Sequence, residues 1–370
     1  MIRLAAPTLR FNEIKSDLRR IITSGQLTKG VMIESFEKTI CKFIHTKYAI
    51  AVNSGTSALH IALLALGVGK GDEVLVPAFT FPATANVVEN CGAKSVLVDI
   101  DLNSFNISIV DMKQKISHKT KAIIIVHQFG TPVDMEPIIK IAKDKNIKLI
   151  EDAACALGAK YKNKMCGSLS DVGCFSFHPR KIVTTGEGGV ITTNSPKIAK
   201  VCRQLRNHGI RMSGNRVLFE SVGYNYRLTE ISACMGISQM KKIKEIIKKR
   251  RQIAKKLNTF FEGNDFFSLP TFFKDRLQVF QSYIILLKSR INRDQLMGEL
   301  YKDKIETTIG NYALHVQPYF KKKYHYHSTD LPHAYLAYKN SLALPLHAGL
   351  TVAQVNRLEK NVIAACRRLV

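Results

Sequence analysis

The sequence predicts an α/β fold: a large domain built on a mostly parallel sheet flanked by helices, followed by a smaller α+β domain at the carboxyl end. Three observations carry this. From residue 48 to about 195, short β-branched runs alternate with helical patterns, the alternation that covers both faces of a parallel sheet with helices. A long helical pattern then runs from Leu228 to about Phe261. Beyond Pro270 the segments become shorter and mixed.

In chain order, Tyr48 to Val52, Glu73 to Val76, Ser95 to Val98, Lys121 to Val126 and Lys148 to Glu151 read as buried strands. They are apolar and β-branched, and too short for helices. Between them Ser57 to Leu66, Ala83 to Asn90, Val110 to Ile116 and Met135 to Lys145 carry helical spacing. Asp171 to Phe177 and Gly189 to Thr193 read as two further strands. After Pro270 a strand is expected over Gln281 to Leu287 and a helix from Arg293 to Leu300. The domain change is expected near 245–265, giving a large domain over 1–250 and a small one over 251–370.

Composition narrows the function classes. The 370 residues are 46% hydrophobic and 23% charged, as in ordinary globular proteins. No apolar run approaches the roughly 20 residues of a membrane span, and none follows Met1 as a secretory leader requires. The eight cysteines are scattered, without C-x-x-C pairs or metal-ligand spacing, which fits reduced thiols in a cytoplasm and predicts no metal site. The balance of 55 basic against 29 acidic residues, net +26, favours polyanions: nucleic acid, anionic membrane or phosphorylated substrates. The lysines are spread along the whole chain. The densest run, Lys241 to Lys256, carries Ile243, Ile246, Ile247 and Ile253 at helical spacing. It reads first as a solvated helix face and alternatively as a binding surface.

Four segments carry chemistry. Asn53-Ser54-Gly55-Thr56-Ser57-Ala58-Leu59 leads from a strand into a helix through glycine and hydroxyls. Such a helix start suits a phosphate, or is simply capped by Ser54 or Thr56. Glu151-Asp152-Ala153-Ala154 stands at the carboxyl end of a buried strand, where ligands bind in open α/β sheets; the Asp either holds a cationic ring nitrogen or caps the next helix. In Cys174 to Lys181, followed by Thr184 to Gly189, a strand ends in Ser176 and a turn presents a lysine among small residues. A Schiff-base lysine needs a neighbouring cation or desolvation, and Arg180 is a candidate neighbour. The fourth segment, Gly223 to Glu230, precedes the long helix, with Thr229 as its N-cap and Asn225 free. Two patterns are set aside. Gly67 to Gly71 lacks P-loop spacing, and Tyr324-His325-Tyr326-His327 lacks accompanying ligands and reads as an exposed loop.

Taken together, these segments resemble the DegT/StrS-type nucleotide-sugar aminotransferases, members of the fold-type I pyridoxal-phosphate (PLP) enzymes. The resemblance covers essentially the whole chain, including Val76 to Asn86, Val98 to Asp101 and Ile305 to Gly310. It implies an aspartate-aminotransferase-like fold with a seven-stranded sheet, and PLP as cofactor with pyridoxamine phosphate as intermediate. Lys181 is then the residue that carries the cofactor and shuttles a proton, and Asp152 keeps the ring nitrogen protonated. Phe81 stacks on the ring, while Gly55, Thr56, Ser57 and Ser176 bind the phosphate. Asn225 reaches the cofactor of a neighbouring subunit, which implies a homodimer with shared active sites.

Many relatives have Gln or His three residues after the Asp. Here the position is Cys155, placed beside the cofactor's ring oxygen with a weaker donor. A related branch that dehydrates keto sugars has His where Lys181 stands, so transamination is favoured over dehydration. Glutamate is the implied amino donor. The acceptor is an anionic nucleotide-linked keto sugar, which accounts for a basic protein without nucleic acid. The run Thr184 to Gly189 looks more like enzymes acting at C4, on a 4-keto-6-deoxy sugar in amino-sugar and surface-polysaccharide synthesis. Candidate substrate contacts are Arg227, Tyr312 and His315. The alternative of a different class is a basic regulatory protein that keeps the fold without catalysis; the presence of both Lys181 and Asp152 argues against it.

Overall fold

A computed structural model describes all 370 residues. Seven strands form the main sheet: β1 (Tyr48–Val52), β2 (Glu73–Pro77), β3 (Lys94–Val98), β4 (Thr120–Val126), β5 (Lys148–Asp152), β6 (Val172–Ser176) and β7 (Gly189–Thr193). Their order is β1-β7-β6-β5-β4-β2-β3. Only β7 runs antiparallel to its neighbours. The expected mostly parallel sheet is therefore found, with every expected strand in place. Helices cover both faces, as the near-continuous apolar strands require. No helix is long and apolar enough to cross a membrane.

Register sets what this sheet can present. Val52 lies opposite Gly189, Gly189 opposite Ser176, Asp152 opposite Cys174, and Val126 opposite Asp152. The carboxyl ends of β1, β4, β5 and β6 are thus level, so the segments that leave them meet along one edge.

Six helices frame the sheet edge and the carboxyl-terminal domain: α1 (Phe11–Ser24), α2 (Val31–Ile44), α3 (Gly55–Ala65), α4 (Glu230–Met240), α5 (Ile243–Phe261) and α6 (Val352–Arg368). The helical pattern read as one from Leu228 to Phe261 is two helices, broken at Lys241–Lys242. The reason lies in their different surroundings. On α4, polar Ser238 and Gln239 are buried together with Cys234 and Met240, whereas α5 buries one stripe that includes Ile243, Ile247, Leu257 and Phe261. The boundary expected at residue 250 falls inside α5. Beyond it a four-stranded antiparallel sheet forms from β8 (Phe267–Ser268), β9 (Tyr283–Leu287), β10 (Thr308–Ile309) and β11 (Ser341–Leu344), in the order β8-β9-β11-β10. Its own apolar cluster joins it to α5 and α6.

Besides the short pairing of Tyr312–Ala313 with Phe79–Thr80, two small elements have no counterpart among the expected strands. Lys160–Tyr161, Lys164–Met165 and Arg276–Leu277 make a three-stranded sheet, and Ile210–Ser213 with Arg216–Phe219 makes a hairpin. Strands this short leave almost no periodicity to read. The segment Tyr324 to His327 is also more anchored than an exposed loop. Tyr324 donates to Glu89 at 2.7 Å, Tyr326 accepts from the Leu97 amide at 3.4 Å, and only the two histidines are exposed.

A buried carboxylate joins distant parts of this architecture. Glu230, in the first turn of α4, accepts from the amides of Gly30, Met32 and Ile33 at 2.9–3.1 Å and so caps α2 from two hundred residues away. Gly30 has to lack a side chain, since a Cβ there would stand 2.4 Å from Glu230 Oε2. The anion sits where the dipole of α2 and its unpaired amides favour it. Glu230→Ala should destabilise the protein by about 2–4 kcal/mol, because three buried donors lose their acceptor. Glu230→Gln should recover part of the loss, and urea unfolding of the two variants measures both.

Candidate functional site

The site is built where the level strand ends meet. Leaving β1, the chain passes Asn53 and enters α3. Ser54 is the N-cap and accepts from the Ser57 amide at 3.0 Å. The helix is therefore capped, and the amides of Gly55 and Thr56 remain free at its positive end. Gly55 packs directly on β6, since a Cβ there would come within 2.8 Å of Ser176 Cβ. Ser176 and the start of α3 are consequently neighbours. Thr56 is exposed, whereas Ser57 is buried and its hydroxyl donates to Asn53 Oδ1 at 2.6 Å. Of the four expected phosphate residues, Ser57 has its hydroxyl already engaged.

Asp152 ends β5 and is 5% exposed. Thr84 Oγ1 donates to its Oδ2 at 2.9 Å, and the Ala154 amide donates to its Oδ1 at 3.1 Å. Burial pushes the carboxyl up from its ordinary range, opposed by those two donors and by the charge of Lys181. Strand alternation turns the preceding residue to the other face. There Glu151 is fully buried and accepts from the Gly167 and Leu169 amides, Ser170 Oγ and His127 Nε2, at 2.6–3.0 Å. The Val133 amide donates to His127 Nδ1 at 3.0 Å, so the ring proton sits on Nε2. Cys166 lies beside this pair, giving a histidine, a carboxylate and a thiol within 4.8 Å of one another. Both ring nitrogens and both carboxylate oxygens are already committed to hydrogen bonds, which is the arrangement of a structural knot rather than of a metal centre.

Lys181 stands on the loop between β6 and β7. The loop is closed at its base, where the Thr185 amide donates to the Phe177 carbonyl and Thr184 Oγ1 donates to the same oxygen, both at 2.9 Å. Buried Gln239 of α4 grips it through both atoms of its amide, accepting from the Thr184 amide and donating to the Thr184 carbonyl. Gln281 Nε2 holds the Arg180 carbonyl at 2.7 Å. Arg250 of α5 in turn donates to the carbonyls of Phe280 and Gln281 at 2.6–3.0 Å; desolvation pushes its guanidinium down to about 9, still charged at neutral pH. Within this frame the Lys181 amine makes one hydrogen bond, to Cys155 Sγ at 3.2 Å. Arg180, the candidate neighbouring cation, is exposed.

The remaining expected residues divide. Phe81 is 61% exposed, its ring 6.4 Å from that of Tyr312, because Tyr312–Ala313 pairs with Phe79–Thr80. Tyr312 is therefore brought to the same edge from far along the chain. Arg227 Nη1 donates to Asn207 Oδ1 at 2.9 Å, and Asn225 is exposed beside the same segment. His315 departs from expectation. It is fully buried between the rings of Tyr326 and Tyr335, with no surface to offer a substrate, so it is withdrawn as a substrate contact. Thr84, Gln239 and Gln281 were missed as site residues. Thr84 lies in a segment that the sequence did single out, but its role follows from a contact 68 residues away.

A family model described as the DegT/DnrJ/EryC1/StrS aminotransferase family matches residues 10–363. The chain belongs to that family. GDP-perosamine synthase of Caulobacter vibrioides is 39% identical over 363 residues, 96% of each chain. The Bacillus subtilis spore coat polysaccharide biosynthesis protein SpsC is 34% identical, covering 98% of this chain and 96% of its own. Among solved structures, the PMP form of a Streptococcus pneumoniae protein assigned as a sugar aminotransferase superposes over 100% of both chains with a TM-score of 0.95 at 26% identity. Helicobacter pylori PseC, an aminotransferase of pseudoaminic acid biosynthesis, does so over 99% of both with a TM-score of 0.93 at 27% identity.

A buried carboxyl with a raised pKa disfavours the folded state once it ionises, so its contribution falls as pH rises above the unfolded value near 3.8. Asp152→Asn removes that dependence. In the cofactor-free protein, the stability of the variant relative to the parent should therefore increase as pH rises from about 4, the ordinary carboxyl value, toward neutrality. Parallel thermal melts across that range check it, and a constant difference would rule out a raised Asp152.

Proposed function

We propose that this chain is a PLP-dependent aminotransferase that transfers an amino group from an amino acid, glutamate in the first instance, to a nucleotide-linked 4-keto sugar. The observation that carries the reading is the convergence on one sheet edge of a lysine amine and a buried carboxylate. The residues fit the cofactor on three counts. Close packing of Gly55 on Ser176 leaves the free amides of Gly55 and Thr56 beside a hydroxyl, a cradle for a phosphate. Asp152 is a buried carboxyl whose hydrogen bonds come from neutral donors, which leaves its charge free to pair with a cationic ring nitrogen once one is present. Lys181 presents its amine against a thiol, with no carboxylate bound to it.

When bound, PLP supplies an aldehyde for the lysine and an electron sink for the substrate carbon. Lys181 would hold the cofactor through Nζ, and once freed, take a proton at the substrate carbon and return it at the cofactor. Asp152 would keep the ring nitrogen protonated, with Thr84 fixing the carboxylate's second oxygen. Gly55, Thr56 and Ser176 would bind the phosphate, and Phe81 would cover the ring. Tyr312, next to Phe81, and Arg227 stand as candidate contacts for the nucleotide sugar. The relatives named for GDP-perosamine and polysaccharide synthesis support that substrate class. Asn225 is exposed in a single copy, and nearby Phe219 and Val222 are 72% and 85% exposed. An apolar face of this kind supports a homodimer that brings Asn225 to the partner's cofactor. The large domain, 1–250, would carry the cofactor, and the remainder, 251–370, would close over the substrate.

Incubated with PLP, the protein should gain a visible absorbance band that glutamate removes. Lys181→Ala should lose both the band and turnover. Asp152→Asn should lower turnover by about two orders of magnitude or more, the scale of breaking a buried charge pair. Retention of wild-type turnover by Lys181→Ala would exclude the assignment. In sedimentation, the wild-type protein should run as a dimer, and Phe219→Asp should shift it toward monomer.

A further inference from the structure

Apart from Arg250, which braces the lysine loop, the basic run Lys241 to Lys256 takes no part in the site at the sheet edge, and one face of α5 borders a large cavity. The cavity has a volume of about 910 Å³ and lies between α5 and the small sheet made by Lys160–Tyr161, Lys164–Met165 and Arg276–Leu277. It contains none of the residues assigned to the cofactor or the sugar. Lys244, Lys248, Arg251 and Lys255 line one wall, and Lys160 faces them from the sheet; Glu262 is the single carboxylate. The helical cations recur every three or four residues and so share one face. They extend about 16 Å along the axis, at about 1.5 Å per residue. Elsewhere on the same helix cations are neutralised, as where Lys249 pairs with Glu245 at 3.0 Å. The five facing the cavity have no carboxylate partner. Arg251 is half-buried, donates to the Gln278 carbonyl at 2.7 Å, and is held below its ordinary range by desolvation. Between the cations the floor is apolar, with Ile247, Met165 and Leu277, and the rings of Phe43 and Phe272 at its margins.

We propose that this cavity is a second ligand site, for an anionic molecule with a flat apolar body: a nucleoside diphosphate. Its size suits a ligand of that class. An extended row of unpaired cations matches more than one phosphate, with Arg251 fixed by its backbone contact to give a forked pair of donors. The ring-bearing floor matches the base. A bare polyanion would leave that floor unused, and an uncharged apolar ligand would leave five charges uncompensated. The site depends on nothing in the transamination chemistry.

Hydrogen exchange on the PLP-loaded protein, with guanosine diphosphate as probe, tests this. The expected result is slowed exchange over 158–166 and 244–262, separate from any protection at 53–57 and 176–188. Lys248→Glu, on an exposed face, should weaken that protection at least about tenfold in ligand concentration, the scale of one charge-assisted contact. The double change with Arg251→Gln should weaken it further, while the PLP absorbance stays as in the parent. Protection confined to 53–57 and 176–188, or undiminished in Lys248→Glu, would overturn the proposal. Equal protection by inorganic pyrophosphate would overturn its nucleotide part. Loss of the PLP band alone would count against the transaminase reading and leave the cavity result standing.

Discussion

A carboxylate sealed inside a protein has to be met by donors on every side, and Glu151 organises this fold by that demand. Its four partners come from the strand before it and from the turn that follows the Lys164–Met165 strand. Removing any one would leave part of an ionised group unpaired in a dry interior, a cost of several kcal/mol. The end of β5 is thereby fixed against both neighbours. Because strand residues alternate, fixing Glu151 on one face also fixes Asp152 on the other. The orientation of the carboxylate proposed to meet the cofactor is inherited from a structural one.

The lysine is positioned by a different device. Its loop has no regular structure, and precision comes from backbone groups held by side chains that belong to other elements. Gln239 holds Thr184 from α4, and Gln281 holds Arg180 from the segment that Arg250 pins to α5. A flexible side chain on an irregular loop is thus carried by a rigid frame, the condition that the role proposed for Lys181 requires. The first of these helices, α4, also reaches back toward the amino terminus, through Glu230 to α2. Stability and site geometry share their supports.

Charge is distributed with the same economy. A net +26 has little to do with the groups proposed for catalysis, of which only Lys181 is a cation. Most of the excess lies on solvated faces. Where cations crowd along α5, the apolar stripe packs inward and the charges face either water or the cavity beside the small sheet. The solvated-face reading holds for the outward charges, and the binding-surface reading rests on the site proposed at the cavity.

The sequence by itself determined the strands, most of the helices, and which residues could do chemistry. Apolar β-branched runs allow few alternatives to a buried parallel sheet. A lysine, an aspartate and a glycine-led helix start, each following a strand, had to collect at the carboxyl edge. It did not determine contacts between residues far apart in the chain, since these depend on packing and leave no local pattern. Thr84 against Asp152, Gln239 against the lysine loop and Tyr312 beside Phe81 are decided in that way, as are the two small sheets whose strands are too short to read. His315 is the reverse case, a residue whose neighbours in sequence suggested the site but whose side chain was drawn between two tyrosines in the core. Chain order fixes which groups are available, and only the tertiary structure decides which of them meet.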